Sequence, residues 1–252
     1  MIDERPKTRF LRLLWRLSGR RPKIDQFFSS FLSYRKFLPE RDAQDLIPRF
    51  AETEIRIKQC PLGNWSTPMV DVFIVLKAAV GFESKRILEL GSYRGDTARL
   101  LAENTGPNTV ICAVDVDERH GGSYRGLPVE KKIRRKTGRI SRLLFDPGEK
   151  FDLIYVDADH DFESVMRDTE VAFQLLTENG VILWHDYCHQ SYFHNKCGVP
   201  EALDMFAKRY PIYAIRGTWL AIYSRVSVTQ ELGAREIGQP HRSVWEEQQV
   251  RG

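Results

Sequence analysis

Val156-Asp-Ala-Asp-His-Asp-Phe162 brings three carboxylates and an imidazole into one short window, and His185-Asp-Tyr187 repeats the same chemistry further along. Carboxylate oxygens are the donors that a hard divalent cation prefers, so Asp157 and Asp186 form a candidate cation site with His185 as a third ligand. A cation held there would polarise a substrate hydroxyl and lower its pKa. His160 titrates near neutrality and is the candidate general base, with Asp159 as the fallback. The competing reading is structural: the acids cap the following helix and tie loops together, and His160 orients Asp157.

A second constellation lies upstream. Arg86-Ile-Leu-Glu-Leu-Gly-Ser-Tyr-Arg-Gly-Asp-Thr97 reads as a strand, a glycine-punctuated turn and a helix start. Gly91 and Gly95 let the backbone turn sharply and come close to a ligand, and the helix start offers free amides. The spacing is G-x-x-x-G, not the G-x-G-x-x-G that seats a pyrophosphate, which argues against a nicotinamide-dependent dehydrogenase. Asp115 ends the next apolar run, Val110-Ile-Cys-Ala-Val114, where a carboxylate can accept both hydroxyls of a ribose. Alternatively, Asp115 and Asp117 cap the following element.

Four segments, taken in order, carry a family resemblance: Ile87-Leu-Glu-Leu-Gly-Ser-Tyr-Arg-Gly95, Ala113-Val-Asp-Val-Asp117, Phe151-Asp-Leu-Ile-Tyr-Val-Asp-Ala-Asp-His160 and Gly180-Val-Ile-Leu-Trp-His-Asp-Tyr187. Over about residues 66–225 the chain resembles class I S-adenosylmethionine-dependent methyltransferases. The resemblance implies a Rossmann-like, doubly wound, seven-stranded, mostly parallel sheet. It also implies cofactor contacts from Glu89, Gly91, Ser92, Gly95 and Thr97 on the turn and helix start, and from Asp115 and Val116 at the ribose. Gly138 and Arg139 would lie near the adenine and Asp157 near the methyl group. Arg139 stands where such enzymes often carry an acid.

The acid clusters resemble the metal-dependent branch, which includes the caffeoyl-coenzyme A and catechol O-methyltransferases and some sugar-modifying enzymes. The expected cofactors are therefore S-adenosylmethionine and a divalent cation such as magnesium, with Asp157, His185 and Asp186 as ligands. The expected acceptor is a hydroxyl of a small molecule or sugar. His160 stands where the first of those enzymes has a lysine, and His185 departs from the acid expected at its position. A metal-free methyltransferase of the same fold acting on nitrogen or oxygen, and a non-catalytic adaptor that keeps the fold, remain open alternatives.

The elements that must position these residues follow from periodicity. Short β-like runs alternate with helical patterns from Arg86 onward, which predicts βαβ units and a parallel sheet covered on both faces. Strands are expected near Arg86–Leu90, Thr109–Asp115, Lys132–Thr137, Phe151–Val156 and Val181–Trp184. Helices are expected near Asp96–Glu103, Phe162–Leu176 and Pro200–Arg209. Tyr210–Arg216 and Thr218–Ser224, joined through Gly217, read as an antiparallel C-terminal hairpin. Residues 61–225 then form the catalytic domain, 1–60 a helical extension and 226–252 a polar, flexible tail.

Arg9–Arg20 sets Phe10, Leu13, Leu14 and Leu17 against four arginines, a basic amphipathic helix suited to peripheral membrane contact. The aromatic stretch Phe27–Leu38 offers a surface for a homo-oligomer. Apolar runs such as Met69–Leu76 are too short to span a bilayer, and no secretory cleavage pattern follows the basic N-terminus, so a cytoplasmic location is expected. A net charge of +4 over 252 residues, concentrated in residues 1–23 and Lys131–Arg142, is too modest for a dedicated nucleic-acid binder. Cys60, Cys112, Cys188 and Cys197 are irregularly spaced and read as reduced thiols. With His189 and His194 they lack the paired C-x-x-C form of a structural zinc site, so Tyr187–Gly198 reads as a loop over the acceptor pocket. There Tyr192 and Phe193, with Trp65 and Trp219, would meet a ring.

Overall fold

The computed structural model describes residues 38–61, 66–187 and 197–225. The proposed helix at Arg9–Arg20, the stretch 27–37, Trp65, Cys188, His189, Tyr192, Phe193, His194 and the tail 226–252 lie outside the described residues.

Eight strands form one sheet: β1 (Glu40–Arg41), β2 (Arg86–Leu90), β3 (Val110–Asp115), β4 (Ile133–Thr137), β5 (Phe151–Val156), β6 (Leu176–Trp184), β7 (Ile212–Ile215) and β8 (Ala221–Ser224). Their spatial order is β1-β7-β8-β6-β5-β2-β3-β4. Pairing is parallel except at β8, which runs antiparallel to both β6 and β7. The seven strands read from the sequence are all present, including the hairpin. The short β1 adds itself outside β7, with Glu40 opposite Ala214 and Arg41 opposite Ile215.

β2, β3 and β5 are apolar throughout because helices cover both faces of a parallel sheet. Alternate residues supply two cores. Leu88, Leu90, Val114, Ile154, Val156, Ile182 and Trp184 face one cluster together with helices α4 (Phe162–Leu175) and α5 (Val199–Phe206). Ile87, Ile111, Ala113, Leu153, Tyr155 and Leu183 face the other, with α2 (Met69–Gly81) and α3 (Asp96–Asn104). Each buried Val, Leu or Ile among them contributes roughly 1.5–3 kcal/mol. A single turn of helix, α1 (Ala43–Leu46), follows β1.

Two elements differ from expectation. β6 begins at Leu176, which pairs with Phe151, and its polar start Thr177-Glu-Asn179 hid this from the periodicity. The apolar run at Met69 is the start of α2, a helix buried on most sides, with the acid Asp71 inside it.

The chain builds β2, β3 and β4 outward in one direction and then returns to lay β5 and β6 on the other side of β2. The reversal opens a crevice beyond the carboxyl ends of β2 and β5, where open α/β sheets bind their ligands. Leu90, Asp115, Val156 and Trp184 are the last residues of the strands that border it.

Candidate active site

The crevice opens into a cleft of about 1600 Å³ that gathers the turn after β2, the ends of β3 and β4, and both acid clusters. On its cofactor side the backbone amides of Gly91 and Ser92 donate to Val114 O at 2.9 and 3.0 Å, folding the turn over β3. Gly91 has φ +89°, and a Cβ there would sit 2.1 Å from Asp157 O. Only glycine permits that approach of β2 to β5. Gly95, also left-handed, begins α3 and lies against the Tyr124 ring. Thr97 is buried in the first turn of the same helix.

Glu89 is 2% exposed and its Oε2 has no hydrogen-bond partner. Burial, reinforced by the nearby Asp157 and Asp115 charges, holds its carboxyl well above the usual range. Ser92 Oγ is likewise buried without a partner. Asp115 is 8% exposed. Its Oδ2 accepts from Tyr93 N at 2.7 Å, and its Oδ1 accepts from Asp117 N at 2.9 Å. His120 Nδ1 lies 2.8 Å from the same Oδ1, its ring edge-on to Tyr93. His120 is a neighbour of the expected ribose ligand that no motif pointed to. Val116 is exposed beside it, and Gly138 N donates to Asp115 O, bringing Arg139 to the same wall.

The window after β5 divides its labour. Asp161 caps α4 by accepting from Ser164 N at 3.0 Å, which realises the structural reading for that acid. Asp159 is exposed at the cleft and accepts from its neighbour His160 N, with Ser164 Oγ at 3.4 Å. Asp157 turns inward. Its Oδ2 accepts from Tyr155 OH at 2.9 Å and Thr67 Oγ1 at 3.1 Å.

Asp186, in the left-handed region at φ +59°, places Oδ2 2.6 Å from His160 Nε2. The Asp186 bond holds the His160 pKa above the ordinary value although burial opposes it. Burial alone would raise the carboxyl of Asp186, but the two histidines overcome it and hold it well below the usual range.

His185 stands differently from the sequence expectation. Its Nδ1 lies 3.3 Å from Asp157 Oδ1 and 3.2 Å from Asp186 Oδ2, and its Nε2 lies 3.1 Å from Asp71 Oδ2. Burial would lower the pKa of this imidazole, yet the three carboxylates outweigh it and push it up to about 12. With carboxylates facing both ring nitrogens, His185 braces Asp71, Asp157 and Asp186. Among the described residues, the ligand atoms that come together, all within 4.8 Å of one another, belong to Asp157, His160 and Asp186.

Asp71, which also accepts from Trp219 N at 3.2 Å, was missed by sequence reasoning. The available signal was an acid in the first turn of an otherwise apolar helix, where burial requires a partner. Trp219 keeps a partly exposed ring at the cleft, and Cys197 sets its thiol against Asp186 O, 3.6 Å away.

Residues 88–187, from within β2 to the end of the His185-Asp-Tyr segment, match the family described as a methyltransferase domain. Over those residues the chain is similar to that family, and the sheet has the class I methyltransferase fold. No curated protein is a match to the sequence.

Among solved structures, the domain is similar to the O-methyltransferase TomG of Streptomyces achromogenes, involved in tomaymycin synthesis and bound to S-adenosylmethionine. The two are 17% identical, with a TM-score of 0.54, over 82% of this chain and 97% of that one. A methyltransferase of Podospora anserina bound to S-adenosylhomocysteine matches at 19% identity and a TM-score of 0.54, over 81% of this chain and 96% of that one. An O-methyltransferase of Bacillus cereus, also bound to S-adenosylhomocysteine, matches at 14% identity and a TM-score of 0.51, over 81% and 97%. These likenesses establish the methyltransferase fold around the cleft. No helix among the described residues is long and apolar enough to cross a membrane.

Proposed function

We propose that the chain transfers the methyl group of S-adenosylmethionine to a hydroxyl oxygen of a small molecule or sugar, assisted by a divalent cation held by Asp157, His160 and Asp186. The observation that carries this reading is the meeting, in one cleft, of the glycine turn, the unpartnered Glu89 Oε2 and Ser92 Oγ, and the acid-imidazole cluster. Glu89 Oε2 and Ser92 Oγ suit the ammonium and carboxylate of a methionine moiety, and Asp115 suits the two ribose hydroxyls.

The donor set fits magnesium or a similar hard cation. Three carboxylates, Asp71, Asp157 and Asp186, face one fixed imidazolium, His185, which leaves an excess of negative charge whenever His160 is neutral. A cation bound there supplies Lewis acidity toward the acceptor hydroxyl. The chain's own residues do the rest. Tyr155 and Thr67 fix Asp157, and His185 fixes the separation of Asp157 and Asp186. The cofactor turn and the ends of β5 and β6 hold donor and acceptor in line, which accelerates a transfer by prepaying orientation.

A second reading rests on the 2.6 Å contact between His160 and Asp186. In it no cation takes part, and His160, oriented by Asp186, accepts the proton of the acceptor. His160 Nε2 cannot serve both roles at once.

Two measurements separate these readings. Manganese binding, followed by electron paramagnetic resonance, is expected for the wild type and lost in Asp157→Ala. Methylation of a panel of catechols and glycosides, followed by mass spectrometry, is expected to stop in excess chelator. Oxygen methylation that persists in chelator, with no manganese bound, would establish the metal-free reading. S-adenosylhomocysteine failing to bind at all would remove both.

A further inference from the structure

Positive charge gathers at one place that methyl transfer leaves unused. Lys131–Arg142 holds seven cations and no acid in a chain whose net charge is only +4, so the remaining residues together are net acidic. The fold lays this segment along β4, the last strand of the sheet. Three of its cations are held by carbonyl oxygens, which carry no formal charge. Lys132 donates to Ala102 O and Thr105 O, Arg135 to Asp117 O and Glu118 O, and Arg142 to Phe145 O and Asp146 O. Among the described residues only Lys136 faces a carboxylate, Glu149 at 3.5 Å, and Arg86 shares it. Lys131, Arg134 and Arg139 are exposed, with no side-chain hydrogen bond or ion pair among the described residues.

The backbone beneath these charges is open as well. β4 pairs with β3 on one side only. Along Arg134–Lys136 the N–H and C=O groups that point away from β3 have no strand to bond, and no turn or loop among the described residues takes them. A second copy of β4 is excluded as the partner, because it would set cation opposite cation. A strand of opposite charge fits. Arg134 and Lys136 project from one face of β4, so carboxylates at alternate positions of an added strand come opposite them while its backbone bonds the open edge. RNA and lipid headgroups can neutralise the charge but cannot match donors and acceptors in register along a strand. The segment also contains no aromatic residue on which a base could stack.

We propose that β4 is the docking edge for an extended acidic segment of a partner protein, which joins the sheet as a strand beside it. The inference stands apart from the methyl-transfer reading, since Lys131, Arg134 and Lys136 do not border the cleft.

The test follows a fluorescein-labelled peptide, Glu-Val-Glu-Val-Glu-Val-Glu, by anisotropy with the full chain. The same peptide methylated on its backbone nitrogens keeps the charge and loses the N–H donors. The wild type is expected to bind the first peptide at least roughly tenfold more tightly than the second, the effect of two or more lost hydrogen bonds. Hydrogen exchange at Arg134–Lys136 is expected to slow when the first peptide binds. Lys131→Glu combined with Arg134→Glu is expected to weaken that binding roughly tenfold or more and to leave S-adenosylhomocysteine affinity unchanged, which shows that the variant is folded. Equal binding of the methylated peptide, or displacement by oligouridylate or phosphatidylglycerol vesicles as effective as by unlabelled peptide, would show a surface for any polyanion and overturn the proposal. Binding that survives in the folded double variant would place the peptide elsewhere and overturn it too. No binding at all would leave the cations as a guard against edge-to-edge pairing.

Discussion

Asp168 is 1% exposed, and its Oδ1 has no hydrogen-bond partner and only the Nε of its neighbour Arg167 at 3.3 Å, so its ionisation opposes folding. Burial raises the Asp168 pKa to about 6, so the folded chain binds its proton more tightly than the unfolded chain does. The stability that this proton confers is fully present below about pH 4, the ordinary carboxylate value, and is lost as pH rises through about 6. Asp168→Asn is therefore expected to stabilise the cofactor-free protein at pH 7.5 by roughly 1–3 kcal/mol, an increase of several degrees in Tm, with the gain shrinking toward pH 4. A thermal melt that shows no difference at pH 7.5 would contradict this.

Asp115→Ala should act in the opposite sense on function. Removing the carboxylate that holds Tyr93 N and faces the ribose is expected to weaken S-adenosylhomocysteine binding by about 1–3 kcal/mol in calorimetry. Unchanged affinity would return Asp115 to the role of a loop cap. At this scale the sequence disclosed the acids but not their assignments. Asp157 and Asp186 were legible because they end apolar runs. The brace formed by Asp71 and His185 was not, because it joins residues 114 positions apart and leaves no spacing to recognise.

At the scale of elements, the turn after β2 shows what a single Cβ can do. Alanine at Gly91 would place a methyl 2.1 Å from Asp157 O at a φ of +89°, so β2 and β5 would have to part. Gly91→Ala is expected to lower Tm sharply or to prevent folding, whereas Gly126→Ala, at φ +74° with nothing within 4 Å of its Cβ, should cost only backbone strain of roughly 1 kcal/mol. Equal melts for the two variants would show that the approach of β2 to β5 is dispensable.

The strands that carry the site were readable because a strand covered on both faces is a continuous apolar run, as in Val110-Ile-Cys-Ala-Val114. β1 was not, since Glu40 and Arg41 are exposed edge residues whose pairing depends on β7, more than 170 residues later. The first turn of β6 was hidden for the related reason that Thr177, Glu178 and Asn179 lie where the strand reaches solvent.

For the whole molecule, the two cores, the eight strands and every residue assigned to the site, all taken from the described residues, fall between Leu38 and Ser224. A fragment spanning residues 38–225 is therefore expected to keep S-adenosylhomocysteine affinity within a few fold of the full chain. If the arginine-rich segment 9–20 attaches to membranes, as its amphipathic pattern suggests, the same fragment will lose sedimentation with anionic liposomes. A fragment that neither folds nor binds would show that the flanks belong to the domain, and liposome binding that survives the deletion would reject the membrane role.

The pairing of β1 with β7 also sets an order of events during synthesis. Ala214 N bonds to Pro39 O and Arg216 N to Arg41 O, so β1 has no strand partner until residues 212–216 have been made. At about 5–20 residues per second, the interval is on the order of 10–30 s. β2, β3, β4, β5 and β6 emerge within it and can pair among themselves, leaving Glu40 and Arg41 to wait. A nascent chain halted before residue 212 should thus expose the sheet edge that β7 and β8 later close, and this is the interval in which the protein would depend most on a chaperone.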